Sequence, residues 1–60
     1  MKIIVFGSGS AAKDFLSMVP AKTTVLGLSD NDSSKHGTTV DGFEILDPAS
    51  LTGMNFDYVV

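Results

Sequence analysis

The segment Lys2-Ile3-Ile4-Val5-Phe6, running into Gly7-Ser8-Gly9-Ser10-Ala11-Ala12, restricts this chain more than any other stretch. Ile3 to Phe6 is an unbroken apolar run, the pattern of a strand buried on both faces of a parallel sheet. The next six residues fit the form G-x-G-x-x-A, in which each small residue has a physical task. The first glycine lets the chain turn sharply out of the strand. The second leaves no side chain between the backbone and a bound pyrophosphate, and the third small residue, Ala12, allows close packing of helix on strand. A helix opening at that point aims its free N–H groups and positive dipole end at the phosphate.

The helix is expected over residues 10–19. Ala12, Phe15, Leu16 and Val19 fall at i, i+3, i+4 and i+7, one apolar stripe against a sheet, while Lys13, Asp14 and Ser17 face water. Phe15, Met18 and Val19 are expected as sheet-packing core. Pro20 ends the run, since its ring cannot continue a helix and biases Val19 away from helical angles. A second strand is expected near residues 24–29, β-branched at its start and apolar in the middle. Gly27 inside it points to a close neighbour or a bulge.

Asp30 follows that strand, a little over 20 residues past Gly7, where a dinucleotide site places an acidic residue that accepts hydrogen bonds from the adenosine ribose. The same carboxylate repels a 2′-phosphate, which favours NAD over NADP. The alternative makes Asp30 a turn or cap residue that touches no ligand. The candidate site is therefore Gly7, Ser8, Gly9, Ser10 and Ala11 for the pyrophosphate, with Asp30 and the adjacent Asn31 for the ribose. A calcium loop through Asp30, Asp32 and Ser34 is rejected, because its sixth and twelfth places hold Lys35 and Asp41 instead of Gly and Glu. His36, the only histidine, is expected as a solvated loop residue, and with no cysteine in the chain no metal site is expected.

Asp41-Gly42 between Val40 and Phe43 is a strong signal for a hairpin near residues 38–46, because a type I′ turn needs positive φ at both central residues. That hairpin is expected as a flap beside the site. Asp47-Pro48 is an N-cap followed by proline at the first helical place, opening a short helix that Gly53 breaks. A last strand, expected as buried, covers residues 56–60. The fold class is α/β: a partial Rossmann-like parallel sheet of three layers, a β-α-β unit plus a hairpin and a further strand, making one nucleotide-binding half-domain over residues 1–60.

Composition narrows the partners. The formal charge of −3 argues against nucleic acid and anionic membranes, both of which demand a basic face. No apolar run approaches a membrane span and the N-terminus lacks a signal-peptide layout, so a cytoplasmic setting is expected. A chain of 60 residues buries only about 60% of its unfolded surface, and the last strand stops before any turn follows it. The expectation is one end of a longer polypeptide, partnered by a missing C-terminal domain or a second copy.

The order of these features carries a resemblance. The Gly-rich turn, then Leu28-Ser29-Asp30-Asn31-Asp32, then Ser34-Lys35-His36-Gly37, then the Val40-Asp41-Gly42 hairpin ending in Ile45-Leu46 is similar to the N-terminal Rossmann-like domain of bacterial enzymes that modify sugars for surface polysaccharides. One branch comprises nucleotide-sugar dehydratases and epimerases with a CoA/NAD-binding-like domain. Another comprises sugar acetyltransferases whose N-terminal domain holds a UDP-sugar, and the module also precedes some methyltransferases. The resemblance implies NAD or a UDP-sugar as ligand. Gly7-Ser8-Gly9-Ser10-Ala11-Ala12 lies closer to the Gly-x-Gly-x-Ala-Gly of the dehydratase branch than to the Gly-Gly-His-Gly of the acetyltransferases. Neither branch's catalytic motif is present, so the catalytic residues are unknown. A non-catalytic structural or regulatory module stands as the alternative.

Overall fold

The computed structural model describes residues 1–60 and shows a mixed sheet of 5 strands with little helix. The elements in chain order are β1 (Lys2–Phe6), α1 (Ser10–Leu16), β2 (Thr24–Ser29), β3 (Thr39–Val40), β4 (Phe43–Leu46) and β5 (Tyr58–Val59), with 3-10 turns at Ser33–Lys35 and Pro48–Gly53. Across the sheet the order is β3-β4-β2-β1-β5. β4, β2, β1 and β5 run parallel, and only β3 is antiparallel, paired with β4 through the hairpin.

The apolar run of β1 places it in the interior of the sheet, where Ile3, Ile4 and Val5 are all buried. Strand alternation sends Ile3 and Val5 to one face, where they join Ala12 of α1, Leu28 of β2 and Ile45 of β4 in the core. Phe15, Leu16, Val25, Val40 and Phe43 pack around that cluster half-buried. Ile4 points to the other face and is fully buried, so that face is covered as well. The crossover from β4 to β5 is the stretch that carries half-buried Leu51, Met54 and Phe56.

Gly27 answers to both readings of an interior strand glycine. The β1–β2 register slips between Ile3 and Ile4, whose partners are Val25 and Gly27, so Leu26 is the extra residue of a bulge. A Cβ on Gly27 would also lie 3.1 Å from the Glu44 carbonyl oxygen and 3.2 Å from Leu46 Cδ1. Gly27→Ala should therefore push β4 away from β2 and cost about 1–3 kcal/mol, read by thermal denaturation.

The hairpin forms where expected: Asp41 and Gly42 have φ of 51° and 84°, the positive pair of a type I′ turn. It is not a separate flap, however. Its second strand, β4, enters the main sheet beside β2, pairing Leu28 with Ile45 and Ser29 with Leu46. Ile45 lies within the core, and that burial makes β4 a sheet member.

Three further expectations are corrected. α1 ends at Leu16 rather than at residue 19. The Ser17 hydroxyl donates to the Asp14 carbonyl, the acceptor an α-helix would reserve for Met18 N–H, and Met18 N–H turns to Phe15 O instead. Pro20 then has no N–H for the Leu16 carbonyl. Met18 consequently swings out of the stripe and is 74% exposed, not core. β5 is likewise an exposed outer strand, not a buried one: Tyr58, Val59 and Val60 all lie open to water, because nothing pairs beyond it. Asp57 N–H to Lys2 O at 2.7 Å and Val60 N–H to Ile4 O at 2.9 Å hold its inner side to β1. Asp47 does act as an N-cap, its carboxylate accepting from Ala49 N–H at 3.0 Å, but the turn it opens is 3-10.

Candidate functional site

Parallel strands bring their carboxyl ends to one edge of the sheet, and the turn after β1 and the loop after β2 meet there. Gly7 N–H donates to the Ser29 carbonyl at 2.6 Å, which ties the end of β1 to the end of β2. Gly7 has φ of +103°, a conformation that L side chains rarely adopt, so the turn out of β1 requires glycine. Gly7→Ala should cost about 1–3 kcal/mol through backbone strain alone, checked by urea denaturation.

Gly9 is different. It precedes α1 with φ −88° and ψ −161°, angles open to most residues, and a Cβ there would meet nothing within 4 Å. Neither conformation nor packing in the protein itself calls for glycine at that place. Its carbonyl accepts from Ala12 and Lys13 N–H. Ser10 and Ala11 are exposed on the first turn of α1, and Ala12 is buried against β1 as the close-packing role requires.

Ser8 does not face outward with its neighbours. It is buried, and its hydroxyl donates to Asp30 Oδ2 at 2.6 Å across a sequence separation of 22. Asp30 Oδ1 accepts from Asp32 N–H at 2.9 Å, and Lys35 Nζ lies 3.9 Å from Oδ2. The carboxylate stays one-fifth exposed (20%), so it remains open to a ligand. The Ser8 hydrogen bond, then that of Asp32 N–H, hold the Asp30 carboxyl below its usual range. Asp32 is lowered too, by the hydroxyl and N–H of Ser34, which it caps at 2.6 and 3.0 Å. Asn31, also a candidate, is exposed.

A carboxylate lowered in the folded state binds protons less readily than the unfolded chain does. Its contribution to stability is present above the ordinary carboxylate range and is lost as pH falls through the depressed folded values. Thermal unfolding followed from pH 6 downward should therefore show Tm falling on acidification, less steeply in Asp30→Asn than in the wild type.

His36 is not the solvated loop residue expected from sequence. It is half-buried, and its Nε2 lies 2.6 Å from the Asp30 carbonyl oxygen. A carbonyl only accepts, so Nε2 carries the proton and donates. Asp30 is thus held at its side chain by Ser8 and at its backbone by His36. Neither contact has a sequence signature, since each partner is a loop residue brought in by the fold.

A hollow of about 210 Å³ is lined by Val5, Phe6, Ala11, Ala12, Phe15 and Val60. All six are apolar, so their side chains offer no hydrogen-bond donor. No group of three or more His, Asp or Glu side chains is placed to hold a metal ion. No helix is long and apolar enough to cross a membrane.

A family model described as C2185-like, N-terminal matches residues 1–60, the whole of the chain. The chain belongs to the C2185-like, N-terminal family. No curated protein and no solved structure matches it. In this C2185-like chain, the turn after β1 and the Asp30 loop are the two parts of the candidate site that the fold brings into direct contact.

Proposed function

We propose that this chain is a Rossmann-like nucleotide-binding half-domain, taking NAD or a nucleotide-linked sugar in the cytoplasm for an enzyme that modifies such sugars. The observation that carries this reading is the Ser8–Asp30 contact at the carboxyl edge of the parallel strands. It joins the glycine-rich turn, the candidate seat of a pyrophosphate, to the acidic residue placed for a ribose. Two further features support it. The parallel strands lie in the order β4-β2-β1-β5, third-second-first-fourth once the hairpin strand β3 is set aside, as in dinucleotide-binding sheets. Gly9 meets no steric need of the free protein, which fits a residue kept small for close approach of a ligand.

In this reading Gly7, Ser8, Gly9, Ser10 and Ala11 form the turn around the pyrophosphate, with the backbone N–H groups beyond Gly7 as donors, since that of Gly7 is held by Ser29. Asp30 accepts from the ribose hydroxyls, and Asn31 flanks it. A 2′-phosphate would meet a carboxylate held ionised, which disfavours NADP. This reading assigns these residues to binding and leaves the chemistry of any reaction to the rest of such an enzyme.

A second reading, a structural module with no ligand, draws on one observation: both Asp30 carboxylate oxygens already accept a hydrogen bond within the chain. Calorimetric titration with NAD, NADP and a UDP-sugar separates the two. NAD should bind, NADP about tenfold or more weakly, and Asp30→Ala should lose at least about tenfold in NAD affinity, the worth of a hydrogen bond to a charged group. Binding of the UDP-sugar alone would favour the acetyltransferase-like branch. A folded chain that binds none of the three would leave the structural module.

A further inference from the structure

We infer that Ser8 is a positioning residue, whose buried hydroxyl sets the plane of the Asp30 carboxylate so that its free lone pairs face a vicinal diol. This rests on the nucleotide-binding reading above. A carboxylate has roughly four lone-pair sites, and the terminal torsion of an aspartate is broad. Here the hydroxyl of Ser8 takes one site on Oδ2 at 2.6 Å and Asp32 N–H takes one on Oδ1 at 2.9 Å. Two anchors on different oxygens, from different loops, fix the plane and leave one site free on each oxygen. Two acceptors in a fixed plane match the two adjacent hydroxyls of a ribose.

The remaining groups around Asp30 do not substitute for Ser8. Lys35 stands at 3.9 Å, beyond hydrogen-bond range, and is itself 45% exposed, so it supplies charge and no orientation. His36 makes its hydrogen bond to the backbone carbonyl and not to the carboxylate. Asp32 turns its own carboxylate toward Ser34. Ser8 also lies within the glycine-rich turn, so one hydrogen bond orders the phosphate side and the ribose side of the site together. An ordered site loses less conformational freedom when the ligand binds.

The test is a carboxyl NMR titration of the full chain and its Ser8→Ala variant, joined to NAD calorimetry. The Asp30 midpoint should rise in Ser8→Ala while that of Asp32, held by Ser34, stays in place. NAD affinity should fall about tenfold in Ser8→Ala, yet change by less than about twofold when Ser8→Ala is added to Asp30→Ala. A wild type that binds NAD and a folded Ser8→Ala that binds it equally well would overturn the role of Ser8 and leave the nucleotide reading standing. A wild type that binds no nucleotide overturns the nucleotide reading instead. Should Ser8→Ala fail to fold, the wild type alone decides: the Ser8 Cβ resonance should inflect at the Asp30 midpoint. Absence of that inflection removes the hydrogen bond and the proposal with it.

Discussion

Leu28→Ala should lower the stability of this chain by about 3 kcal/mol and its Tm by more than about 10 °C. Leu28 has 0% exposure and sits at the middle of the sheet, paired with Val5 on one side and Ile45 on the other. Its side chain belongs to the same cluster as Ile3, Val5, Ala12 and Ile45, which spans three strands and the helix. Truncation leaves a cavity that backbone on both sides prevents from collapsing. A chain of this length has only about 3–9 kcal/mol in total, at the usual stability per residue. The loss from this one side chain is therefore about a third of that total or more. Val59→Ala on the exposed outer strand serves as the control, and should stay within about 0.5 kcal/mol of the wild type. Urea denaturation of both variants measures the difference. Equal losses would mean that the core does not lie where these strands place it.

Gly9→Val should leave the fold nearly intact and remove nucleotide binding by more than about 100-fold, close to 2.7 kcal/mol at the usual conversion. The two halves of that expectation have separate causes. The angles at Gly9 are extended and open space surrounds its missing Cβ, so folding loses chiefly the N-cap preference for glycine, about 1 kcal/mol. A ligand phosphate held by the backbone of the turn would meet two added methyl groups. Circular dichroism and NAD titration of the variant read the two effects independently. Undiminished affinity would move the ligand away from this turn. Loss of the fold would show that Gly9 answers a need of the protein itself, and its support for a ligand would vanish.

Gly7 makes the comparison sharper. It occupies the same short turn, but its φ of +103° is demanded by the path of the chain. Gly7→Ala should therefore act on stability and Gly9→Val on binding. The two glycines of one motif thus separate into an architectural one and a candidate functional one, a distinction the letters of the motif do not contain.

What the amino-acid sequence determined alone was local. The apolar run of β1 marks a strand, buried at Ile3, Ile4 and Val5 though Phe6 at its end is half exposed, and Asp41-Gly42 makes a hairpin because few other dipeptides accept two positive φ angles. Pro20 limits the first helix and Gly27 marks a tight place in β2, each through the chemistry of one residue. Even here the competition of Ser17 for a carbonyl shortened α1 by more than Pro20 alone would. Tertiary structure decided what depends on distant partners. β4 reads from its own residues as half of a hairpin, and only the burial of Ile45 beside Leu28 makes it a strand of the main sheet. Tyr58, Val59 and Val60 carry the composition of a buried strand, yet they lie exposed because the sheet order leaves them at its edge. Ser8 and Asp30 were both readable as candidate site residues, but their contact was not, nor was the grip of His36 on the Asp30 backbone. Periodicity and turn chemistry act over a few residues, whereas strand order and loop-to-loop hydrogen bonds are settled by which surfaces the whole chain can bury together.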